Sequence, residues 1–160
     1  MRIAVGADHA GVPLNETAMS ELRRLGYEVV DLGTHDPLQP DDYPDYAAAV
    51  AQEVTSGRCE RGLLICGSGV GVSVAANKVP GIRAGMCHDT YSAHQGVEHD
   101  DMNVLVLGAR IIGSELAYEL ARAFVGAKFG ANEERFQRRF KKVLAIEAKH
   151  ACGDGSANPA

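Results

Sequence analysis

No apolar run in this 160-residue chain approaches the length of a bilayer span, because glycine or charge interrupts each one. A membrane-crossing segment is therefore not expected. The opening "MRIAVGADHAG" lacks the succession of basic, apolar and small residues that marks a secretory signal, and the cytoplasm is the expected compartment. Basic residues are in deficit: 16 Lys and Arg stand against 21 Asp and Glu, a net charge of −5. That balance argues against a general nucleic-acid surface, which needs a basic face. It leaves room for a small anion, since a few local cations can outweigh the global sign. The cysteines Cys59, Cys66, Cys87 and Cys152 form no C-x-x-C pair, which removes zinc ribbons and thioredoxin-type redox motifs. In a reducing compartment they are expected to be free thiols. Nor does any H-x-x-x-H spacing unite Asp8, His9, His35, His88, His94 and His99, so no metal site is expected.

What the chain does have is an alternation of strand and helix patterns. Strands are expected at Arg2–Val5, Tyr27–Asp31, Arg61–Cys66, Ile82–Cys87 and Asn103–Leu107. Helices are expected over Val12–Leu25, Tyr46–Thr55, the stretch after the glycine loop as far as Asn77, Thr90–Glu98, Ser114–Val125 and Glu133–Lys149. Pro13 suits the first turn of the first helix and Gly26 its C-terminal stop. "GTHDPLQPDDYPD" reads as a long polar loop with three prolines. Such alternation implies βαβ crossovers and a parallel sheet covered on both faces. The expected fold is a three-layer α/β/α sandwich, Rossmann-like, around a five-stranded parallel sheet. One domain over residues 1–150 is expected, with residues 151–160, "ACGDGSANPA", as a frayed tail. Ligands in such folds sit beyond the carboxyl ends of the strands, which directs attention to the loops after each strand.

The third of these loops, within "LLICGSGVGVSVAANK", combines a cysteine with Gly67, Gly69 and Gly71. Alternating glycines between strand and helix turn the backbone tightly and present N–H groups to an anion; a turn that serves only packing is the other reading. Val72 and Ser73 follow Gly71, so the Gly-Lys-Ser/Thr of a phosphate-gripping loop is missing. The dinucleotide fingerprint lacks its third glycine, although Asp89 stands near the place of a ribose-binding acid. Cys66 closes the strand just before the loop. It is either a small buried hydrophobe or a thiol whose anion a helix N-terminus favours. A thiolate there could take a proton from carbon while loop N–H groups receive the oxyanion, the pairing that enolisation next to a carbonyl needs.

Asp8 and His9 lie just past the first strand, at the same sheet edge; each could equally be a cap or a solvated loop residue. His99, in "EHDDMNV", carries little by itself. Arg135 and Arg139 in "ERFQRRFKKV" are four apart on one helix face, where two guanidiniums can grip a phosphate. Arg138, Lys141 and Lys142 read as a solvated face.

Taken together, "GADHAG", "ICGSGVGVSVAANKVPGIRA", "YSA", "EHDDMNVLVLGARIIG" and the late arginine-bearing helix resemble the type B ribose-5-phosphate isomerases. That family also contains the galactose-6-phosphate isomerase subunits. The resemblance runs in order from Met1 to about Lys149, and is most specific in the central glycine-rich block. It implies an aldose–ketose isomerase without metal or cofactor, acting on a small phosphorylated sugar. It also implies a homodimer with active sites at the subunit interface, pairing into tetramers being open. Carried onto this chain, His99 would help open the sugar ring and Cys66 would move a proton between C2 and C1. Ser68, where the family often has Thr, would join the backbone of Gly67, Gly69, Val70 and Gly71 in stabilising the enediolate. Asp8 and His9 would position sugar oxygens, and Arg110, Arg135 and Arg139 would hold chiefly the phosphate.

Four departures bear on the substrate. Asp100 stands where the family commonly has Asn, and an ionised carboxylate repels an enediolate oxygen that an amide would bond. Phe136 replaces a common His, and Asn15 a common Lys. "GANEERF" is about two residues longer than the family's spacing. The expected reaction interconverts ribose 5-phosphate and ribulose 5-phosphate. The alternatives are the same chemistry on a tetrose or hexose phosphate, or a non-catalytic sugar-phosphate or nucleotide-binding module.

Overall fold

Along the strands, residues alternate between two apolar clusters, and that alternation builds the layers. The computed structural model describes residues 1–151. It contains strands β1 (Arg2–Ala7), β2 (Glu28–Asp31), β3 (Arg61–Cys66), β4 (Ala84–Met86) and β5 (Val104–Gly108). All pair in parallel, in the order β2-β1-β3-β5-β4. The helices are α1 (Val12–Arg24), α2 (Tyr43–Thr55), α3 (Val70–Ala76), α4 (Thr90–Asp100), α5 (Ser114–Gly126) and α6 (Glu134–Ala151). Among the described residues no helix is long and apolar enough to cross a membrane. The tail expected over 151–160 lies outside the described residues, apart from Ala151 at the end of α6.

Ile3, Val5, Leu63, Ile65, Leu105 and Leu107 pack against α1, α4 and α5 through Met19, Leu22, Val97, Leu120 and Phe124. Ala4, Leu64, Cys66, Val104 and Val106 face α2 and α3 instead, meeting Val50, Ala51, Val72 and Ala76. Each fully buried aliphatic contributes roughly 1.5–3 kcal/mol, so a one-residue slip of β3 would exchange both sets at large cost. That register therefore decides which face Cys66 takes.

Most elements fall within one or two residues of the expected bounds, and two differences have a clear local cause. Helix α2 starts at Tyr43 rather than Tyr46, because Pro44 is accommodated in its first turn rather than ending a loop. Strand β4 is shorter than Ile82–Cys87. It is an edge strand, and side chains take the backbone groups before its ladder: Asn103 Oδ1 accepts from the Arg83 N–H at 2.8 Å, and the Asn77 amide bonds both N–H and C=O of Ala84. Strand β3 and the start of α1 fall as expected, with Pro13 in the first turn and Gly26 at φ 85° beyond the end.

The chain runs from β1 outward to β2, then returns across β1 to β3. The gap between β1 and β3 is thus a topological switch point, where the crossovers diverge and a crevice opens at the carboxyl edge. Ala7 pairs with Ile65, and Cys66 with Gly108. This places Asp8, Cys66 and the loop after β5 side by side at that crevice.

Candidate active site

Cys66 is 5% exposed at the end of β3. Its Sγ accepts a hydrogen bond from the Gly69 N–H at 3.2 Å. Gly69 caps α3 in the left-handed conformation, φ 87°, and a Cβ there would lie 2.9 Å from Met86 Sδ. Only glycine takes this φ without strain, so the residue type is what lets the loop fold back onto the sulfur. The other described cysteines differ. Burial pushes the thiols of Cys59 and Cys87 up, that of Cys87 to about 11 with Asp89 adding to it. Both are inert core residues.

The rest of the loop is walled on two sides. The N–H groups of Ala109 and Arg110 donate to the carbonyls of Cys66 and Gly67, at 2.8 and 2.9 Å. The Arg110 Cδ and Nε lie 3.5 Å from where a Gly67 Cβ would be. On the other side the Tyr43 ring lies 2.9 Å from the corresponding point at Gly71, so the α2 N-terminus closes over the loop. Ser68 is exposed, and its Oγ accepts from the Val70 N–H at 3.3 Å. Gly108 lets this packing form, since a Cβ there would meet the Ser68 carbonyl at 2.6 Å.

Asp8 is buried, with Oδ1 accepting the Gly11 N–H at 2.8 Å. Burial raises its carboxyl above the usual range, against the pull of the Gly11 N–H and of His9. The His9 ring Nδ1 lies 2.6 Å from Asp41 Oδ1, which also accepts the His9 backbone N–H at 3.0 Å. The Tyr46 hydroxyl donates to Asp41 Oδ2 at 2.7 Å. Ligand-type atoms of Asp8, His9 and Asp41 thus come within 4.8 Å of one another, a convergence unforeseen in the sequence spacing. Most of their capacity is committed to the hydrogen bonds just described.

Cys66, Gly67 to Gly71, Asp8, His9 and Arg110 therefore share one crevice. His99, Asp100, Arg135 and Arg139 do not join them. Helix α4 leaves the carboxyl edge after β4 and runs about 16 Å back towards the start of β5, which puts His99 and Asp100 at the sheet's opposite end. There His99 stacks on Phe136, centroids 3.9 Å apart, and its Nδ1 lies 2.7 Å from the Gln95 amide. The Arg135 guanidinium lies over the same Phe136 ring, 4.6 Å from its centroid. Asp100 is exposed beside the groove between α6 and the α3–β4–α4 edge. Among the described residues, Arg110, Arg135 and Arg139 have no side-chain hydrogen bond or ion pair, whereas Arg24, Arg58, Arg83 and Arg122 are each bound to a carboxylate.

Asp89 is spent elsewhere. Its Oδ1 caps α4 by accepting the Ser92 N–H at 2.7 Å, and that bond holds its carboxyl below the usual range. The ribose-binding expectation for Asp89 is therefore set aside, and with it the nucleotide reading's one supporting acid. Asp41 and Tyr43 escaped sequence reasoning; the polar loop that carries Asp41 was the available signal.

Comparison with known proteins gives the family of the chain. The family described as ribose/galactose isomerase matches residues 3–143. Ribose-5-phosphate isomerase B of Escherichia coli is 43% identical over 148 residues, 92% of this chain and 97% of that protein. The D-erythrulose-4-phosphate isomerase of Pectobacterium atrosepticum is also 43% identical, over 130 residues, covering 81% and 85%. Among solved structures, ribose-5-phosphate isomerase B of Clostridium thermocellum superposes with a TM-score of 0.88 at 44% identity, covering 93% of this chain and 99% of that one. With its parallel sheet, its cysteine and glycine loop at the switch point, and these matches along nearly its whole length, the chain belongs to the ribose/galactose isomerase family.

Proposed function

We propose that this protein interconverts ribose 5-phosphate and ribulose 5-phosphate through an enediolate, with residues 1–150 acting as one domain. The observation that carries the reading is the Gly69 N–H aimed at Cys66 Sγ, because it supports a sulfur that holds negative charge in an otherwise apolar strand end. In the open-chain aldose, the Cys66 thiolate takes the proton from C2. The released electron pair forms the C1–C2 double bond, and O1 becomes the oxyanion. Ser68 and the N–H groups of the Gly67–Gly71 loop, other than the Gly69 N–H held by Cys66 Sγ, stabilise it where charge develops. Transfer of the O2 proton to O1, with return of the C2 proton from Cys66 to C1 as O2 becomes the carbonyl, gives the ketose. Asp8 and His9 hold sugar oxygens, and Arg110 approaches the phosphate.

His99 opens the ring in this reading, and it does so from a second copy. One chain leaves His99 about a helix length from Cys66, so both reach one sugar only if two copies pair and exchange ends. The same pairing delivers Arg135, Arg139 and Asp100, and the apolar side chains Val143 and Ile146 lining the groove beside α6 suit such a contact. The assembly is thus a homodimer with shared sites.

A second reading keeps the chemistry and shortens the sugar. Phe136, 6% exposed, fills the space against the His99 ring, and a relative named for a four-carbon substrate is as similar as one named for ribose 5-phosphate. Turnover of four-, five- and six-carbon sugar phosphates in deuterated water, with a chelator present, separates these readings. The highest kcat/KM on ribose 5-phosphate, with deuterium entering C1 or C2, is expected. Tight binding without deuterium entry would replace the isomerase with a binder.

A further inference from the structure

His9 is held by Asp41, and Asp41 in turn by Tyr46, two residues that the isomerisation leaves unused. Its ring Nδ1 and its backbone N–H both meet Asp41 Oδ1, at 2.6 and 3.0 Å, while the Tyr46 hydroxyl secures Asp41 Oδ2 at 2.7 Å. The Asp41 side chain is 18% exposed, against 30% for His9, so the acceptor is the better shielded partner. Burial alone would push the Asp41 carboxyl up; the His9 and Tyr46 donors outweigh it and hold it below the usual range. An ionised carboxylate only accepts hydrogen bonds. The Asp41 backbone N–H also points at Nδ1, but at 3.4 Å it is much the longer contact. The proton in the 2.6 Å contact therefore sits on Nδ1, whichever charge the ring carries, and among the described residues Nε2 has no partner.

We propose that Asp41, braced by Tyr46, is a positioning residue that fixes His9 as the Nδ1–H tautomer, so that Nε2 faces the sugar phosphate as a hydrogen-bond acceptor. The inference rests on the isomerase reading. It adds that the polar loop before α2, 32 residues from His9 in sequence, sets which end of the imidazole the substrate meets. A ring released from Asp41 could turn about its χ angles and take the other tautomer, offering an N–H where a sugar hydroxyl needs an acceptor. Loss of the orienting partner of a metal-bound histidine costs on the order of 10–100-fold, and a loss in that range is expected for a substrate-facing ring.

The test compares Asp41→Ala, Asp41→Asn and Tyr46→Phe by steady-state kinetics and by ¹⁵N NMR of the His9 ring, using the full chain. Wild type is expected to show a protonated Nδ1 and an unprotonated Nε2 at alkaline pH. Asp41→Ala is expected to lose that tautomer and about 10–100-fold in kcat/KM. Asp41→Asn keeps a neutral acceptor and recovers part of both, and Tyr46→Phe loses only a few-fold, about the worth of one hydrogen bond. Wild-type kcat/KM in Asp41→Ala overturns the proposal, as does a lowered kcat/KM with the His9 tautomer unchanged, since that pattern marks a merely structural residue. If wild type turns over no sugar phosphate, the isomerase reading fails, and the NMR comparison still decides whether Asp41 sets the His9 tautomer.

Discussion

The Gly69 N–H and the Cys66 Sγ face each other across 3.2 Å. Gly69 reaches that position only through its positive φ, under the thioether of Met86, so the loop's shape sets which backbone donor meets the sulfur. Cys66 is the one described cysteine that lies at the crevice and accepts a loop N–H.

Replacing Cys66 by Ala is expected to lower kcat by about 10²–10⁴-fold, the usual worth of a positioned general base. Stability should change little, by about 1 kcal/mol, because the deleted atom is small. Steady-state turnover and urea midpoints of the same preparation check both halves. Full turnover in Cys66→Ala would remove Cys66 from the chemistry.

Gly69→Ala probes the loop while leaving the sulfur in place. The forced φ costs about 1 kcal/mol, and the new Cβ must displace the flexible end of Met86. The expected result is a modest fall in the urea midpoint with a disproportionate loss in kcat, about tenfold or more, since small displacements at a reacting centre are costly. Equal, small losses in both would mean that the glycine serves packing alone.

Much of this was legible in the sequence, for local reasons. "RGLLIC" is a continuous apolar run ending in glycines, and β3 spans Arg61–Cys66 as read. The cysteine and its loop therefore fell at a strand end without any tertiary knowledge. The start of α2 was misread because Pro44 is compatible with either a loop or a first helical turn, and packing of Tyr43 on Gly71 decides between them. Asp41 was missed because its partner lies 32 residues away. The placing of β4 outside β5, and with it the separation of His99 from Cys66, depends on long-range strand pairing that no local pattern encodes.

Acid should unfold the protein partly through Glu21. This carboxyl, 4% exposed, is held by Arg24 at 2.7 and 2.8 Å and by Arg122, joining α1 to α5. The Arg24 hydrogen bonds first, then that of Arg122, pull it from 4.5 down to about 2. A folded-state value below the unfolded one stabilises above about pH 4.5, and that gain disappears as pH falls towards about 2. Since Arg24 and Arg122 are 61% and 45% exposed, solvent screening reduces the gain to roughly 1–2 kcal/mol. Urea midpoints measured between pH 6 and pH 2.5 should fall less steeply in Glu21→Gln than in wild type. Parallel curves would show that Glu21 contributes no pH dependence.

If His99 serves the Cys66 of another copy, two dead variants should restore each other. Cys66→Ala and His99→Ala homodimers each lack one group at both sites. A heterodimer of the two has one site missing both groups and one site missing neither. Random re-pairing makes about half the dimers mixed, each with one intact site of two, so about a quarter of wild-type activity is expected. Mixing the variants under mild denaturant, then removing it, gives the measurement; each variant treated alone is the control. Should His99 act on the Cys66 of its own chain, every site in the mixture would still lack one group, and the activity would stay at the level of the separate variants.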